Sequence, residues 1–383
     1  MIVSQSIKQN LLFFFTLHNI TSQPTQPHIF LTDWNHRQTH RQLDTTVRTL
    51  NFHSLIQTVQ ASGPAIPLSM SLWIINIIYS KFVLKNEGFD EPVVISPGRW
   101  LASCFIPMLI AFYGYKKKSV NLSGAFLGCL VAFVLTLANF CFLADLLTFF
   151  LTSSKATKFR AHLKRKLEDD FKEGGQRNWI QVLCNGGMAT QLALLYLLDV
   201  GSLERPIDFV KHYRESWLSI GVLGVFACCN GDTWASELGT VFGKSDPYLV
   251  TSFKKVPKGT NGGISLIGTL LSTVGGLVIG ISHYLTVLYF SDRTELTFAP
   301  PQWPIIFVGA AAGFLGSLID SIMGATLQYS GLDKDGKIVS HSSLTVKHIS
   351  GRNILDNHSV NLISTIIMGV LMPTISKYLW VSL

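Results

Sequence analysis

From residue 66 onward, apolar runs long enough to cross a bilayer, or nearly so, follow one another to the end of the chain. Lipid offers no partner for backbone N–H and C=O groups, so runs of this length must close their hydrogen bonds internally as helices. The runs cover residues 66–84, 100–115, 120–152, 179–198, 217–229, 264–290, 305–327 and 359–379. They predict an all-α, polytopic transmembrane bundle of about eight or nine helices, some short or broken. The run at 120–152 is too long for one simple span. Its 33 residues would make about 50 Å of helix against a hydrocarbon core of about 30 Å. It is either two short helices turning near Asn139 or one strongly tilted helix.

Positive charge chooses between these. Lys116–Lys118 form one cluster, and Lys155, Lys158, Arg160, Lys164, Arg165, Lys166, Lys172 and Arg177 a second. Lys254, Lys255 and Lys258 form a third, and Lys334, Lys337, Lys347 and Arg352 a fourth. All four lie on the cytoplasmic side, as the positive-inside bias asks, only if residues 120–152 return to the side they left. Two short helices are therefore favoured. Residues 157–172 read as a charged cytoplasmic helix ended by Gly174-Gly175. The opposite loops, around 201–216 and 291–302, show nothing that looks like a site.

A mean hydropathy of +0.34 with 14% charged residues excludes an ordinary soluble domain. The net charge of +8 is explained by the loop clusters and not by a nucleic-acid partner. Six cysteines sit in apolar segments without zinc-ligand spacing, so they read as packing residues. Residues 1–62 are rich in Gln, Thr, His and Asn and read as a disordered tail ahead of a membrane domain at 63–383. Its apolar stretch at 11–17 is too short to span. Asn19-Ile20-Thr21 fits a glycosylation acceptor, but the orientation keeps this tail cytoplasmic. The expected location is an endomembrane, the endoplasmic reticulum.

Four polar stretches gather on the basic side. Asn230-Gly231-Asp232-Thr233-Trp234-Ala235-Ser236-Glu237-Leu238-Gly239 follows directly on an apolar run. A carboxylate there needs a cation, a partner or a wet cavity. Asp232 and Glu237 stand about 140° apart on a helix, so a break at Gly231 or Gly239 is expected if both reach one cavity. They are candidate divalent-metal ligands, or else solvated charges at a helix end. Lys258, Gly259, Thr260, Asn261, Gly262 and Gly263 lie in a basic glycine-rich loop feeding a helix. Its backbone N–H groups and lysine suit phosphate, although the Walker A order is absent. The other reading is a linker touching anionic lipid.

Asp320, Gly324 and Gln328 fall at i, i+4 and i+8 on one face of the 305–327 helix. Asp320, two turns inside an apolar helix, is a candidate for metal or phosphate work, while Gly313, Gly316, Ser317, Ser321 and Gly324 suit close helix packing. Asp356 and Asn357 open the last helix as a cap or as site residues, with Asn361 one turn inside. His358 reads as structural. Asn185-Gly186-Gly187 is a packing notch or a wall of the site. No Ser/His/Asp arrangement or cysteine nucleophile emerges. Dispersed acids with a basic glycine loop fit phosphoryl or nucleotidyl transfer.

In combination and order, these motifs resemble the transmembrane protein 19 family and the wider membrane family that contains plant phytyl-phosphate kinase. The residues that carry the resemblance are Gly231–Gly239, Val256–Gly263, Asp320-Ser321 with Gly324–Gln328, and Asp356-Asn357 with Val360-Asn361. Glu173–Trp179 and Pro301–Pro304 look specifically like the animal branch. A looser similarity ties Asp232 through Ala235, Ser236, Gly239, Phe242, Gly243 and Lys244 to CTP-using polyprenol kinases and CDP-lipid synthases.

The resemblance implies a kinase adding a phosphate to an isoprenyl monophosphate, with Mg²⁺ and ATP or CTP. Asp232 and Asp320 would hold the metal with Glu237 and Asp356 in support, and Lys258 with Thr260–Gly263 the nucleotide phosphates. The expected partners are the lipid phosphate and the nucleotide, with self-association open. The alternative is a non-enzymatic transporter or scramblase of an anionic lipid or ion, its buried acids holding a coupling cation.

Overall fold

The computed structural model describes residues 65–79, 95–160, 175–243 and 245–382. The expectations for the tail at 1–62, for the charged helix beyond residue 160 and for Lys244 lie outside these residues. The helices are α1 (Ala65–Tyr79), α2 (Pro97–Lys116), α3 (Leu122–Ala138), α4 (Phe140–Lys158) and α5 (Trp179–Asp199). They continue with α6 (Tyr213–Phe242), α7 (Leu266–Phe290), a short α8 (Arg293–Phe298), α9 (Pro304–Leu327) and α10 (Asn357–Val381). α5, α7, α9 and α10 are long and apolar enough to cross a membrane by length and composition. Exposed Phe126 and Leu130 on α3, and Leu270, Val274 and Leu285 on α7, give the bundle an apolar outer surface for lipid.

Asn139 settles the long apolar run as two helices. Its backbone N–H closes α3 on Leu135 O, and its side-chain oxygen accepts from Cys141 N at 2.7 Å to open α4. At φ −161° and ψ 134° it is a single extended residue between two helical ends. The chain then passes back and forth. One end of the bundle collects the α3–α4 turn and the loops at 200–212 and 291–303. There the Arg99 side chain on α2 bonds Thr136 O and pairs with Glu204, Asn139 donates to Leu203 O, and Ile207 N donates to Gln302. Arg99 also lies over the Phe140 ring at 3.9 Å.

The other end collects the C-termini of α2, α4, α6 and α9 and the N-termini of α3, α5, α7 and α10. There Lys158 Nζ donates to Lys117 O, Asn121 N to Arg177 O, and Ile354 N to Leu327 O. The basic clusters thus fall at one end, as their grouping predicts, for all the residues described. Two small sheets decorate this end. β1 (Tyr248–Leu249) pairs antiparallel with β2 (Gly263–Ile264), and β3 (Ser330–Leu332) lies between β4 (Ile338–Val339) and β5 (Lys347–Ser350), antiparallel to both.

α6 is the central helix, buried without interruption from Leu218 to Gly231. Sequence reasoning ends this helix at Cys229 and looks for a break at Gly231 or Gly239. The structure has neither: α6 runs through the acidic motif to Phe242, 30 residues and about 45 Å. Gly231 serves packing instead of bending. A methyl group there would stand 2.7 Å from Gly313 Cα and 2.8 Å from Ser272 O. α7 and α9 meet in the same way, since a methyl group on Gly309 would lie 2.7 Å from Gly276 O and 2.7 Å from Gly280 Cα. Backbone-to-backbone contact between three helices is what small residues allow in a membrane, where dispersion replaces the hydrophobic drive. The cysteines are free and, apart from the half-buried Cys129, buried, as expected of packing residues.

Candidate functional site

Asp232 on α6 and Asp320 on α9 face one another near the basic end of the bundle. Asp320 lies within electrostatic reach of Asp232, and both are half-buried, keeping some accessible surface. Ser317, one turn before Asp320, donates its hydroxyl to Asp232 Oδ1 at 3.3 Å. Among the described residues neither carboxylate has a salt-bridge partner. Two facing acids without a cation are costly in a medium of low dielectric.

Asn361 and Asn185 complete a polar shell. Oriented by its hydrogen bonds, the Asn361 amide nitrogen donates to Asp320 Oδ2 at 3.3 Å and to Asn357 O at 3.2 Å. The Asn361 side chain also lies 3.3 Å from the Asn185 side chain on α5. So α5, α6, α9 and α10 each contribute a residue. Asp356 caps α10 through Ser359 N at 2.8 Å and lies exposed at the rim. Glu237, out of phase with Asp232 on the unbroken helix, is within electrostatic reach of both Asp232 and Arg177. It closes no three-residue metal cluster, and no such cluster occurs among the described residues.

The glycine loop reaches the site by its tip. Gly262 has φ +78° and lies against Ser321 and Ala325, while Gly324 is 3.0 Å from Gly262 N, measured from where a methyl group would sit. Any side chain at Gly324 would push the loop off the helix one turn past Asp320. Thr260 and Asn261 are engaged within the fold: Thr260 Oγ1 donates to Pro257 O at 2.7 Å, Asn261 N to Ser330 Oγ at 3.1 Å, and Asn261 Nδ2 to Tyr329 O at 3.3 Å. α9 ends at Leu327, so Gln328 is extended and not helical, yet its buried side chain folds back toward Gly324.

Lys258 is held elsewhere. Its ammonium donates to Gly243 O at 2.6 Å, capping the C-terminal end of α6. Gly243 is eleven residues beyond Asp232, about 16 Å along the axis. A lysine in a glycine loop reads as a phosphate ligand from spacing alone, but here a helix end takes it first.

Three features escape sequence reasoning. Arg177, given above as one charge of a cluster and as part of the Glu173–Trp179 stretch but not as a site residue, is buried against Phe149 and Ser154 of α4. A Ser/His/Asp array exists: His283 Nδ1 donates to Asp145 Oδ2 at 2.8 Å, and Nε2 lies 3.2 Å from Ser219 Oγ. Both ionisable groups are fully buried, so no substrate reaches them and they are no hydrolytic triad. No spacing signals this, because the three residues come from α4, α6 and α7. The third is a cavity of about 230 Å³ at the opposite end, lined by Pro206, Asp208, Lys211, His212, Glu295 and Phe298, where the loops read as featureless.

The bundle and its polar end define an integral membrane protein of many passes. Residues 105–369 match the family described as integral membrane protein DUF92, and the chain belongs to that family. It is 43% identical to Protein PGR of Arabidopsis thaliana over 283 residues, 74% of this chain and 98% of that one. An uncharacterized membrane protein of Methanocaldococcus jannaschii is 27% identical over 274 residues, 71% of this chain and 92% of its own. The Arabidopsis thaliana protein VTE6, chloroplastic, is 29% identical over 203 residues, 53% of either chain. No solved structure matches the chain.

Proposed function

We propose that this protein is a membrane-embedded kinase that phosphorylates an isoprenyl monophosphate, drawing on ATP or CTP at the basic end of the bundle. The observation that carries the reading is the facing of Asp232 and Asp320 without a cationic partner among the described residues. This donor set fits Mg²⁺, which is commonly held by one or two carboxylates and completes its shell with water and phosphate oxygens. When bound, the ion neutralises charge on the transferring phosphoryl group.

In the proposed reaction an oxygen of the lipid phosphate attacks the terminal phosphorus of the nucleotide. The bond from that phosphorus to its bridging oxygen breaks, and the nucleoside diphosphate leaves as the isoprenyl diphosphate forms. Ser317 and Asn361 orient the two carboxylates through their hydrogen bonds. Gly262 brings the loop backbone against Ser321 and Ala325, beside Asp320, and nucleotide phosphates would lie along the N–H groups of the Gly259–Gly263 loop. Gln328, Asp356 and Asn357 frame the entrance, and Lys258 fixes the end of α6. The positive-inside bias supports a cytoplasmic position for this end; an endomembrane location and kinship with the animal branch, suggested by residues 173–179 and 301–304, belong to the same proposal.

The test is purified protein with Mg²⁺, labelled ATP or CTP and a panel of isoprenyl monophosphates. We expect labelled diphosphate from the wild type and a loss of at least about 100-fold in Asp232→Asn and in Asp320→Asn. Turnover unchanged in both variants would sink the assignment. The same two acids support a second reading, a transporter of an anionic lipid or ion in which Asp232 and Asp320 hold a coupling cation. That reading requires flux in proteoliposomes without nucleotide.

A further inference from the structure

We propose that Arg177 binds the phosphate that enters this site. The inference rests on the kinase reading and names the cation that reading needs. The main chain of Arg177 is clamped beside α3, its N–H donating to Ser119 O at 3.0 Å and its carbonyl accepting from Asn121 N at 3.0 Å. This clamp turns the side chain into the bundle, where the residue is 7% exposed. The guanidinium lies 5.6 Å from the centre of the Phe149 ring and donates from Nη1 to Ser154 Oγ at 3.0 Å. A guanidinium carries five N–H donors, and among the described residues Ser154 is the one side chain that accepts from it, so donors on its accessible edge remain for a ligand. Glu237 is within electrostatic reach but forms no salt bridge with it.

A second cation stands beside the first. Lys158 repels Arg177 electrostatically, and its ammonium rests on neutral acceptors, Lys117 O at 2.6 Å and Ser119 Oγ at 2.8 Å. Among the described residues, these two positive groups hydrogen-bond only to uncharged acceptors, which makes a place for an anion. That place borders the acids, because the Cys229 sulfur on α6 senses Asp232, Asp320 and Arg177 together. A planar fork of donors suits the oxygens of a phosphate monoester better than an ammonium does. The role assigned by sequence to Lys258, which is engaged with Gly243 O, thereby passes to Arg177.

The phosphate belongs either to the lipid or to the nucleotide, and direct binding separates the two. Full-length protein in nanodiscs is titrated with labelled farnesyl phosphate, and separately with ATP and with CTP. Arg177→Gln is expected to weaken one class of ligand at least tenfold and the other less than twofold, which names the source. Lys258→Gln is expected to change both less than twofold. As a control for the fold of the clamp, Arg177→Ala is titrated with and without added methylguanidinium, its fold checked by thermal unfolding. Restored binding supports the proposal. Binding of every ligand within twofold of wild type in Arg177→Gln, or no rescue of a folded Arg177→Ala, overturns it. A wild type that binds farnesyl phosphate in an Arg177-dependent way but never turns over keeps Arg177 and sinks the kinase. Turnover with KM for both substrates unmoved in Arg177→Gln does the reverse.

Discussion

The Ser317 hydroxyl donates to Asp232 Oδ1 at 3.3 Å, across 85 residues of sequence and between two helices. It is a neutral donor to a carboxylate that already faces Asp320. One such bond offsets only part of the repulsion between two acids in a membrane protein. Replacing Asp320 by Asn should therefore stabilise the metal-free protein, by about 1 kcal/mol. Thermal unfolding in EDTA is expected to show a higher midpoint for Asp320→Asn, and millimolar Mg²⁺ to raise the wild-type midpoint alone.

Lys258→Met should cost about 1 kcal/mol, because it removes both a hydrogen bond and a positive charge from the C-terminal end of α6. It should leave turnover within about threefold of wild type, since the transition state loses no contact with this side chain. A loss as deep as that of Asp232→Asn would return the lysine to the site.

Truncating His283 to Ala leaves Asp145 fully buried and without the ionic partner it has among the described residues. Breaking a buried pair in this way costs roughly 3–5 kcal/mol, whereas replacing both members by apolar residues costs less. We expect Asp145→Leu with His283→Leu to unfold at a higher temperature than His283→Ala. The double-mutant cycle reads the coupling directly.

A side chain at Gly276 would overlap the Gly309 carbonyl oxygen and stand 2.8 Å from Gly313 Cα. Gly276→Val should lower stability by at least about 2 kcal/mol, against less than about 1 for Gly128→Val, where a methyl group would meet open space. Chemical unfolding in detergent compares the two.

Outside the membrane, the backbone N–H groups of Glu295 and Thr294 hold the Asp292 carboxyl below the usual carboxylate range. A group depressed in the folded state contributes stability above its unfolded pKa and loses it as pH falls through the folded value. Amide exchange at Thr294 and Glu295 should be faster in Asp292→Asn than in wild type at pH 7, and the difference should close in acid below about pH 3.

Much of the fold is written in the chain because lipid leaves few choices. The apolar runs mark all nine long helices described, and Asn139 with the lysine clusters divides residues 120–152 correctly. What fails is the end of α6. Asn230 to Gly239 is polar enough to read as a terminus, but neighbouring helices supply its partners: Asn230 accepts from Thr152 and Ser153 and donates to Gly275 O. Pairings between distant helices, such as Ser317 with Asp232 or Asp145 with His283, leave no periodic trace. Lys258 misleads for a related reason, since a loop sequence does not reveal which acceptor its lysine meets first.

The glycine contacts among α6, α7 and α9 have a mechanical consequence. Three helices touching backbone to backbone have no slack for sliding. Asp232 and Asp320 both ride on that block, so their spacing is set at assembly and stays constant through any cycle of binding and release. If the proposed function holds, whatever yields to admit a lipid tail belongs outside that block, as in the first turns of α10 that carry Asn361, as a jaw moves against an anvil.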